Sequence, residues 1–310
     1  MEFKHISVLK QESIDGLNIN PKGIYVDCTT GGGGHSFEIA KRLMTGRLIC
    51  FDKDTDALEF AKTKLEPFKD KITFVNRNFA DIDIVLDQLG IDKVDGILAD
   101  LGVSSYQIDT AERGFSFMQN ARLDMRMDKS QEIDAFKVIN SYSEQDLARI
   151  MFAYGEEKNS KQIARKICKI RQTKPIETTF ELKDIIVSSY PPKFQNKPSL
   201  CNKVFQAIRI EVNNELNDLS SSVEKMLQRL NKNGRICIIS FHPLEDRIVK
   251  TSFKLHSTDC ICPPRIPKCV CNHKADIKLV TKHPIVPSDN ELLSNSRSGS
   301  AKLRIAEKII

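Results

Sequence analysis

The run Asp27-Cys-Thr-Thr-Gly-Gly-Gly-Gly-His35 stands where an apolar β-type segment gives way to a helical one. Glycine at such a turn lets backbone amides approach a ligand closely. A glycine run by itself is equally a tight turn, and this one is not a dinucleotide fingerprint, because the sixth position counted from Gly31 and Gly33 is Ser36. The residues beyond it narrow the chemistry. Asp52 closes the next β-type segment 25 residues after Asp27, where a carboxylate can accept both ribose hydroxyls of an adenosine. Phe79 follows the third such segment, where a ring would flank an adenine, and Asp100 closes the fourth. Asp27, Gly31 to Gly34, Asp52, Phe79 and Asp100 at one sheet edge suit S-adenosylmethionine. Plainer readings stand beside these: Asp52, followed by Asp54 and Asp56, as a helix start, and Phe79 as core.

Only a parallel sheet brings those positions together. Gly23–Cys28, Gly46–Asp52, Ile72–Val75 and Val94–Leu98 read as strands. Between them Phe37, Ala40, Leu43 and Met44, then Ala57, Leu58, Ala61 and Leu65, recur at helical spacing. The alternation predicts an α/β, Rossmann-like, doubly wound sheet with right-handed crossovers. From about Thr110 the signals are helical alone. Ser143 with Asp146 is a capping pattern ahead of Leu147, Ile150 and Met151; Ile163, Ile167 and Ile170 share a face; Val204, Ile208, Val212 and Leu216 recur every four residues. We therefore expect a first core segment at 1–109, an inserted all-helical domain at 110–216 and the rest of the core at 217–310. In the last of these, a helix through Leu219, Val223, Leu227 and Leu230 is expected to stop at Asn233-Gly234, and Arg235–Phe241 to resume as a buried strand. Ile277–Val280 and Ala301–Glu307 would complete the sheet as an antiparallel pair.

With 310 residues, 40% of them hydrophobic and 28% charged, the chain is neither a mini-protein nor a disordered one. No apolar run approaches the ~20 residues of a membrane span, and the leading Met-Glu-Phe-Lys-His has no apolar core, so a cytosolic chain is expected. The net charge of +6 is unevenly spread: residues 158–209 and 225–310 each carry a balance of +9. Such blocks suit a polyanion partner, or are solvated helix faces. Nine cysteines, an odd number, favour free thiols or metal ligands over disulfides.

Longer motifs are specific. Asp95-Gly-Ile-Leu-Ala-Asp-Leu-Gly-Val-Ser-Ser-Tyr-Gln107, Arg113-Gly-Phe-Ser-Phe117, Leu123-Asp-Met-Arg-Met-Asp128, Phe205-Gln-Ala-Ile-Arg-Ile-Glu-Val-Asn-Asn-Glu-Leu216, Ile239-Ser-Phe-His-Pro-Leu-Glu-Asp-Arg247 and Asn295-Ser-Arg-Ser-Gly-Ser-Ala-Lys-Leu-Arg304 follow in order along the chain. Together they resemble the bacterial small-subunit ribosomal RNA methyltransferase H family, formerly MraW, from His5 to the C-terminus. The resemblance implies a class I S-adenosylmethionine-dependent methyltransferase core with a helical insertion, acting on the N4 amine of a decoding-centre cytidine in 16S rRNA, within the small ribosomal subunit. Carried over by motif, the cofactor contacts are Gly33, Gly34, His35, Asp52, Phe79, Asp100 and Gln107. The chain departs from the family's usual pattern at Pro243, where serine is usual, and at Gly299, where arginine is usual; local geometry and one phosphate contact hang on these.

An exocyclic cytosine amine is a poor nucleophile because its lone pair is delocalised, so acceptors on its N–H groups are needed. Asp100 is the first candidate, with cofactor orientation as a competing role; Asp124 and Asp128 are further acceptors or surface-loop residues. The usual amino-methylase tetrad is replaced by Asp100-Leu-Gly-Val, which leaves Tyr106 or Phe115 to stack on the base. Gln206, Arg209 and Asn213 share a helix face for substrate or for internal hydrogen bonds. Lys161, Arg165, Lys166, Lys169 and Arg171 are candidate phosphate contacts. His242 reads as structural, and Cys28 and Cys201 as packing residues. Cys260, Cys262, Cys269 and Cys271, around Pro263, Pro264 and Pro267, read either as a structural zinc site or as reduced, unmetallated thiols. A catalytic metal is not expected. The same core could act on DNA or protein, or serve a non-catalytic cofactor-binding RNA-assembly protein, and the oligomeric state is open between monomer and homodimer.

Overall fold

The structure is a computed structural model and describes residues 7–195, 197, 199–263 and 268–310; His5, Pro264 and Pro267 fall outside them. The chain divides into two compact units, residues 1–102 with 216–310, and residues 103–215.

The first unit is built on seven strands: β1 (Ile24–Asp27), β2 (Arg47–Phe51), β3 (Ile72–Val75), β4 (Val94–Asp100), β5 (Leu230–Ser240), β6 (Ile277–Leu279) and β7 (Lys302–Lys308). Their order is β3-β2-β1-β4-β5-β7-β6. β1 to β5 run parallel, and β7 is antiparallel to both β5 and β6. The doubly wound sheet and its antiparallel C-terminal pair are as the sequence led us to expect. Successive strand residues feed opposite apolar layers. Val26, Ile49, Phe51, Ile97 and Ile236 pack with Leu86, Val223 and Leu227 on one face. Tyr25, Leu48, Cys50, Leu98 and Cys237 pack with Leu17, Ile39 and Ala61 on the other. Burial on both faces is why these strands read as unbroken apolar runs. The winding reverses between β1 and β4, and in such sheets ligands sit beyond the carboxyl ends of the strands at that reversal.

Three local expectations are corrected. Asn233-Gly234 does not stop a helix: the helix Glu215–Gln228 ends earlier, Leu230 already pairs with Val94, and the next pair in register is Gly96 with Arg235. Asn233, at φ 66°, and Gly234 therefore form a bulge inside β5. A Cβ on Gly234 would come within 2.8 Å of the Asn231 carbonyl oxygen, which explains the glycine. Leu216 belongs to the following helix, because Asn214 at φ 52° ends the helix Leu200–Asn213. Met44 lies beyond the last turn of Gly34–Arg42 and is 72% exposed, so that apolar face stops at Leu43.

In the second unit the helices Ala135–Ser141, Glu144–Gly155, Ser160–Arg171, Thr179–Val187 and Leu200–Asn213 surround a core that includes Leu147, Ile163, Leu182, Val204 and Ile208. The Ser143 hydroxyl accepts from the Asp146 amide at 3.0 Å, the expected cap. No helix among the described residues is long and apolar enough to cross a membrane.

Candidate active site

The carboxyl ends of β1, β2 and β4 converge on the glycine loop. Gly31 and Gly33 hold φ of 49° and 71°, the left-handed region that glycine enters without penalty. A Cβ on Gly34 would come within 1.9 Å of the Ser7 hydroxyl, so a side chain there would require Ser7 to move. Gly33 is the N-cap of the helix Gly34–Arg42 and supplies no side-chain cap. Asp27 is buried, accepts from the Ser36 hydroxyl at 2.6 Å and from the Thr29 amide at 3.1 Å, and fixes the turn. Ser36, which breaks the dinucleotide pattern, is thus a strut for Asp27.

Asp52, the first residue after β2, accepts from the Gly31 amide through Oδ2 at 2.7 Å and from the Asp54 amide through Oδ1 at 2.8 Å. Each oxygen keeps a second lone pair, the number needed for two ribose hydroxyls. The helix start is set by Asp54, whose side chain accepts from Asp56 N, so the two readings of this acidic run belong to different residues. Phe79 opens a short 3-10 turn after β3 and is half-buried against the sheet. Asn78 holds that turn, accepting from Ala80 N at 3.0 Å and donating to Asp218 at 2.6 Å.

Asp100 is the last residue of β4, and its amide donates to the Thr29 hydroxyl at 2.6 Å. Its Oδ2 lies 3.6 Å from Nδ1 of His35, whose Nε2 is 3.1 Å from the Val8 carbonyl. A carbonyl only accepts, so Nε2 carries the hydrogen and Nδ1 faces Asp100. The other carboxylate oxygen, Oδ1, is buried and has no hydrogen-bond partner. Buried polar atoms are nearly always paired, so this oxygen is open to a hydrogen-bond donor from outside the protein. Thr29 and Val8 escaped the sequence reading, because each acts by holding a residue distant in the chain.

This edge is acidic in excess. Burial, then Asp27, Glu245 and Glu291, push the Asp100 carboxyl well above the usual carboxylate range. Burial also pushes Asp27 and Asp52 up to about 6. Carboxylates raised by burial and by one another are relieved by a cationic ligand and aggravated by an anionic one such as a pyrophosphate. Asp52 accepts on both oxygens only when ionised, so a ligand whose hydroxyls donate to Asp52, as the ribose of S-adenosylmethionine would, is expected to bind more tightly as pH rises through about 6, with a plateau above it. Titration calorimetry should find binding about tenfold weaker at about pH 5 than at about pH 7, with the dependence reduced in Asp52→Asn.

His242 is the N-cap of the helix Pro243–His256, in a capping box with Glu245. Pro243 takes the first helical position, where a missing N–H costs little. A Cβ on Gly299 would meet only Leu292, at 3.9 Å. Cys28 is buried in the core of this unit, as expected of a packing residue.

In the second unit Gln107 is buried, and its side-chain oxygen accepts from the Ser104 amide at 3.0 Å in a capping box. Phe115 packs against the helical core, and Tyr106 is half-buried. Asp124 accepts four hydrogen bonds: Arg126 Nε and the Arg126 amide on Oδ1, Arg126 Nη2 and Arg122 Nη1 on Oδ2, at 2.8 to 3.2 Å. That fills the lone pairs of a carboxylate. Asp128 accepts from the amide and hydroxyl of Ser130 at 2.8 and 2.7 Å, closing a turn. Asn213 is buried, accepts from Met127 N and donates to Met125 O, both at 2.8 Å. Arg209 forms a two-pronged pair with Glu215 at 2.9 Å, and Gln206 donates to Tyr154 O. The polar face of Leu200–Asn213 is thereby engaged within its own unit. Arg171 is likewise engaged, donating to the carbonyls of Ile139 and Tyr142. Lys166 reaches Ser188 O at 2.8 Å. Lys161, Arg165 and Lys169 remain as an exposed stripe opposite Ile163 and Ile167, with Arg165 3.7 Å from Glu144. Cys201 is buried in this unit's core.

The sequence profile of the MraW methylase family matches residues 2–309. The ribosomal RNA small subunit methyltransferase H of Finegoldia magna is 56% identical over 312 residues that cover the whole of both chains. That of Lachnospira eligens is 54% identical and covers 100% of this chain and 99% of its own. Among solved structures, an rRNA methylase from Streptococcus thermophilus is 12% identical, with a TM-score of 0.43 over 99% of each chain.

Proposed function

The chain belongs to the MraW methylase family, and from that premise we propose that it transfers the methyl group of S-adenosylmethionine to the N4 amine of a decoding-centre cytidine in 16S rRNA. The observation that carries the site assignment is the acidic sheet edge with an unpartnered buried oxygen on Asp100. S-adenosylmethionine supplies an electrophilic methyl on a positively charged sulfur, and that charge suits these carboxylates.

Each residue has a separate task. Asp52 holds the ribose hydroxyls, Phe79 flanks the adenine, and Gly33, Gly34 and His35 line the approach to the cofactor. Asp100 Oδ1 accepts a hydrogen bond from the cytosine amine, which directs the nitrogen lone pair towards the methyl group. It then takes the proton that N4 sheds as the new N–C bond forms and the methyl's bond to sulfur breaks, its electron pair passing to the neutralised sulfur. Asp124, with its lone pairs filled, serves to hold its loop rather than to relay a proton.

A base inside folded RNA is turned out of its stack at a cost of a few kcal/mol, so phosphate contacts must hold the RNA meanwhile. We assign Lys161, Arg165 and Lys169 to that role. Replacing all three by alanine should make the slope of log affinity against log salt shallower by about 2 in filter binding. Affinity for S-adenosylmethionine should be unchanged.

The reaction is tested by incubating the protein and labelled S-adenosylmethionine with small subunits from cells lacking this activity, followed by nucleoside mass spectrometry. The expected product is N4-methylcytidine at one site. Failure to label subunits or naked 16S rRNA, by protein that binds the cofactor, would overturn the assignment.

A further inference from the structure

Between the helix Pro243–His256 and β6 the chain makes an excursion in which none of the described residues 257–263 and 268–276 is buried. Among its described residues the largest aliphatic side chains, Ile261 and Val270, are 50% and 71% exposed. Those residues form no apolar core to hold the segment. A few hydrogen bonds tether its ends, such as His273 Nε2 with the Leu255 carbonyl at 2.9 Å and the Ala275 amide with Asp259 at 3.2 Å.

Four thiols meet in its middle. The Sγ atoms of Cys260 and Cys269 are 3.5 Å apart, those of Cys262 and Cys269 3.9 Å, those of Cys269 and Cys271 3.5 Å, and those of Cys260 and Cys271 3.8 Å. All four lie within 4.8 Å of one another. Sulfurs each about 2.3 Å from a central zinc at tetrahedral angles are about 3.8 Å apart. A disulfide would need about 2.0 Å instead. The two Cys-x-Cys pairs thus contribute the edges of one tetrahedron. The amide of Val270 donates to Cys262 Sγ at 3.4 Å, the kind of contact that steadies a metal-bound thiolate.

We propose that Cys260, Cys262, Cys269 and Cys271 bind one structural zinc ion that ties this excursion together. Four thiolate donors leave no open coordination position, so the ion has no part in methyl transfer. Soft sulfur ligands also exclude magnesium and calcium. The ion replaces the missing apolar core: it links both arms of the loop, and its removal should loosen residues 257–276 while leaving the sheet intact.

The test uses the full chain, purified under reducing conditions without added metal. Elemental analysis should find about one zinc per chain. Cys269→Ser should fall below about a tenth of that, while Cys168→Ser, a thiol in the helical unit, should keep it all. Should Cys269→Ser fail to fold, cobalt(II) exchanged into the parent chain gives a second readout. Strong thiolate-to-cobalt charge transfer with the visible bands of a four-coordinate site is then expected. A parent chain that is metal-free and takes up no cobalt overturns the proposal. So does an intact mass short by four hydrogens, which would reveal two disulfides.

Discussion

Asp100→Asn is expected to lower methyl transfer at saturating S-adenosylmethionine by about 10²–10³-fold, with little change in melting temperature. The substitution keeps size and shape, and the backbone amide of residue 100 still donates to Thr29. It also removes a carboxyl that burial and three neighbouring acids make costly to ionise, so the fold loses nothing by it. What disappears is an acceptor able to take a proton from the amine. The orphaned Oδ1 becomes an amide oxygen that cannot be protonated at neutral pH, or an NH₂ that repels the amine's own hydrogens. Single-turnover rates and cofactor affinity separate the two roles open to this residue. A rate restored by excess cofactor, with affinity weakened by the same factor, would make Asp100 a cofactor ligand alone.

Asp100 and Asp52 were legible in the sequence because each ends an apolar strand, and parallel strands bring their carboxyl ends to one edge. The same regularity made the five parallel strands readable, apart from the start of β5. Asn233-Gly234 misled for the complementary reason. An Asn-Gly pair after an amphipathic run marks a helix end in local terms, and its true role follows from the pairing of Leu230 with Val94 and Arg235 with Gly96. No neighbouring residue announces a partner so distant in the chain. The extent of helix Gly34–Arg42 failed more simply, since Met44 continues the apolar spacing after the helix has ended.

Side-chain roles were legible only where position in the chain decides them. His242 as a structural residue follows from its place after a buried strand, whereas the helix start read at Asp52 belongs to Asp54. Asp124 is different: three arginine nitrogens and one amide occupy it, and only the tight wrapping of residues 122–126 brings them together. Met125 takes φ 61° in that turn although it is a fully buried, non-glycine residue. Such a conformation costs on the order of 1–3 kcal/mol and persists only where its surroundings hold it. Arg113 supplies part of that hold, donating to the carbonyls of Arg126 and Met127 at 2.9 and 3.1 Å.

Asn213 supplies the rest, and Asn213→Ala is expected to destabilise the helical unit by about 2–5 kcal/mol. The side chain closes a two-way clamp: its oxygen takes the Met127 amide and its nitrogen serves the Met125 and Arg209 carbonyls. Alanine strands the Met127 amide and the Met125 carbonyl in a site that is 3% exposed around residue 213, and each orphan costs about 1–3 kcal/mol. Asn213→Asp should be harmful as well, because a carboxylate accepts from Met127 but meets the Met125 carbonyl with like charge. A residue serving the RNA alone would behave otherwise: its alanine variant would melt with the parent and lose only RNA affinity. Thermal unfolding, with hydrogen exchange at the amides of residues 123–128, distinguishes the two. Early exchange there, together with a lowered melting temperature, would establish that the motif Leu123-Asp-Met-Arg-Met-Asp128 owes its shape to a helix side chain some ninety residues away.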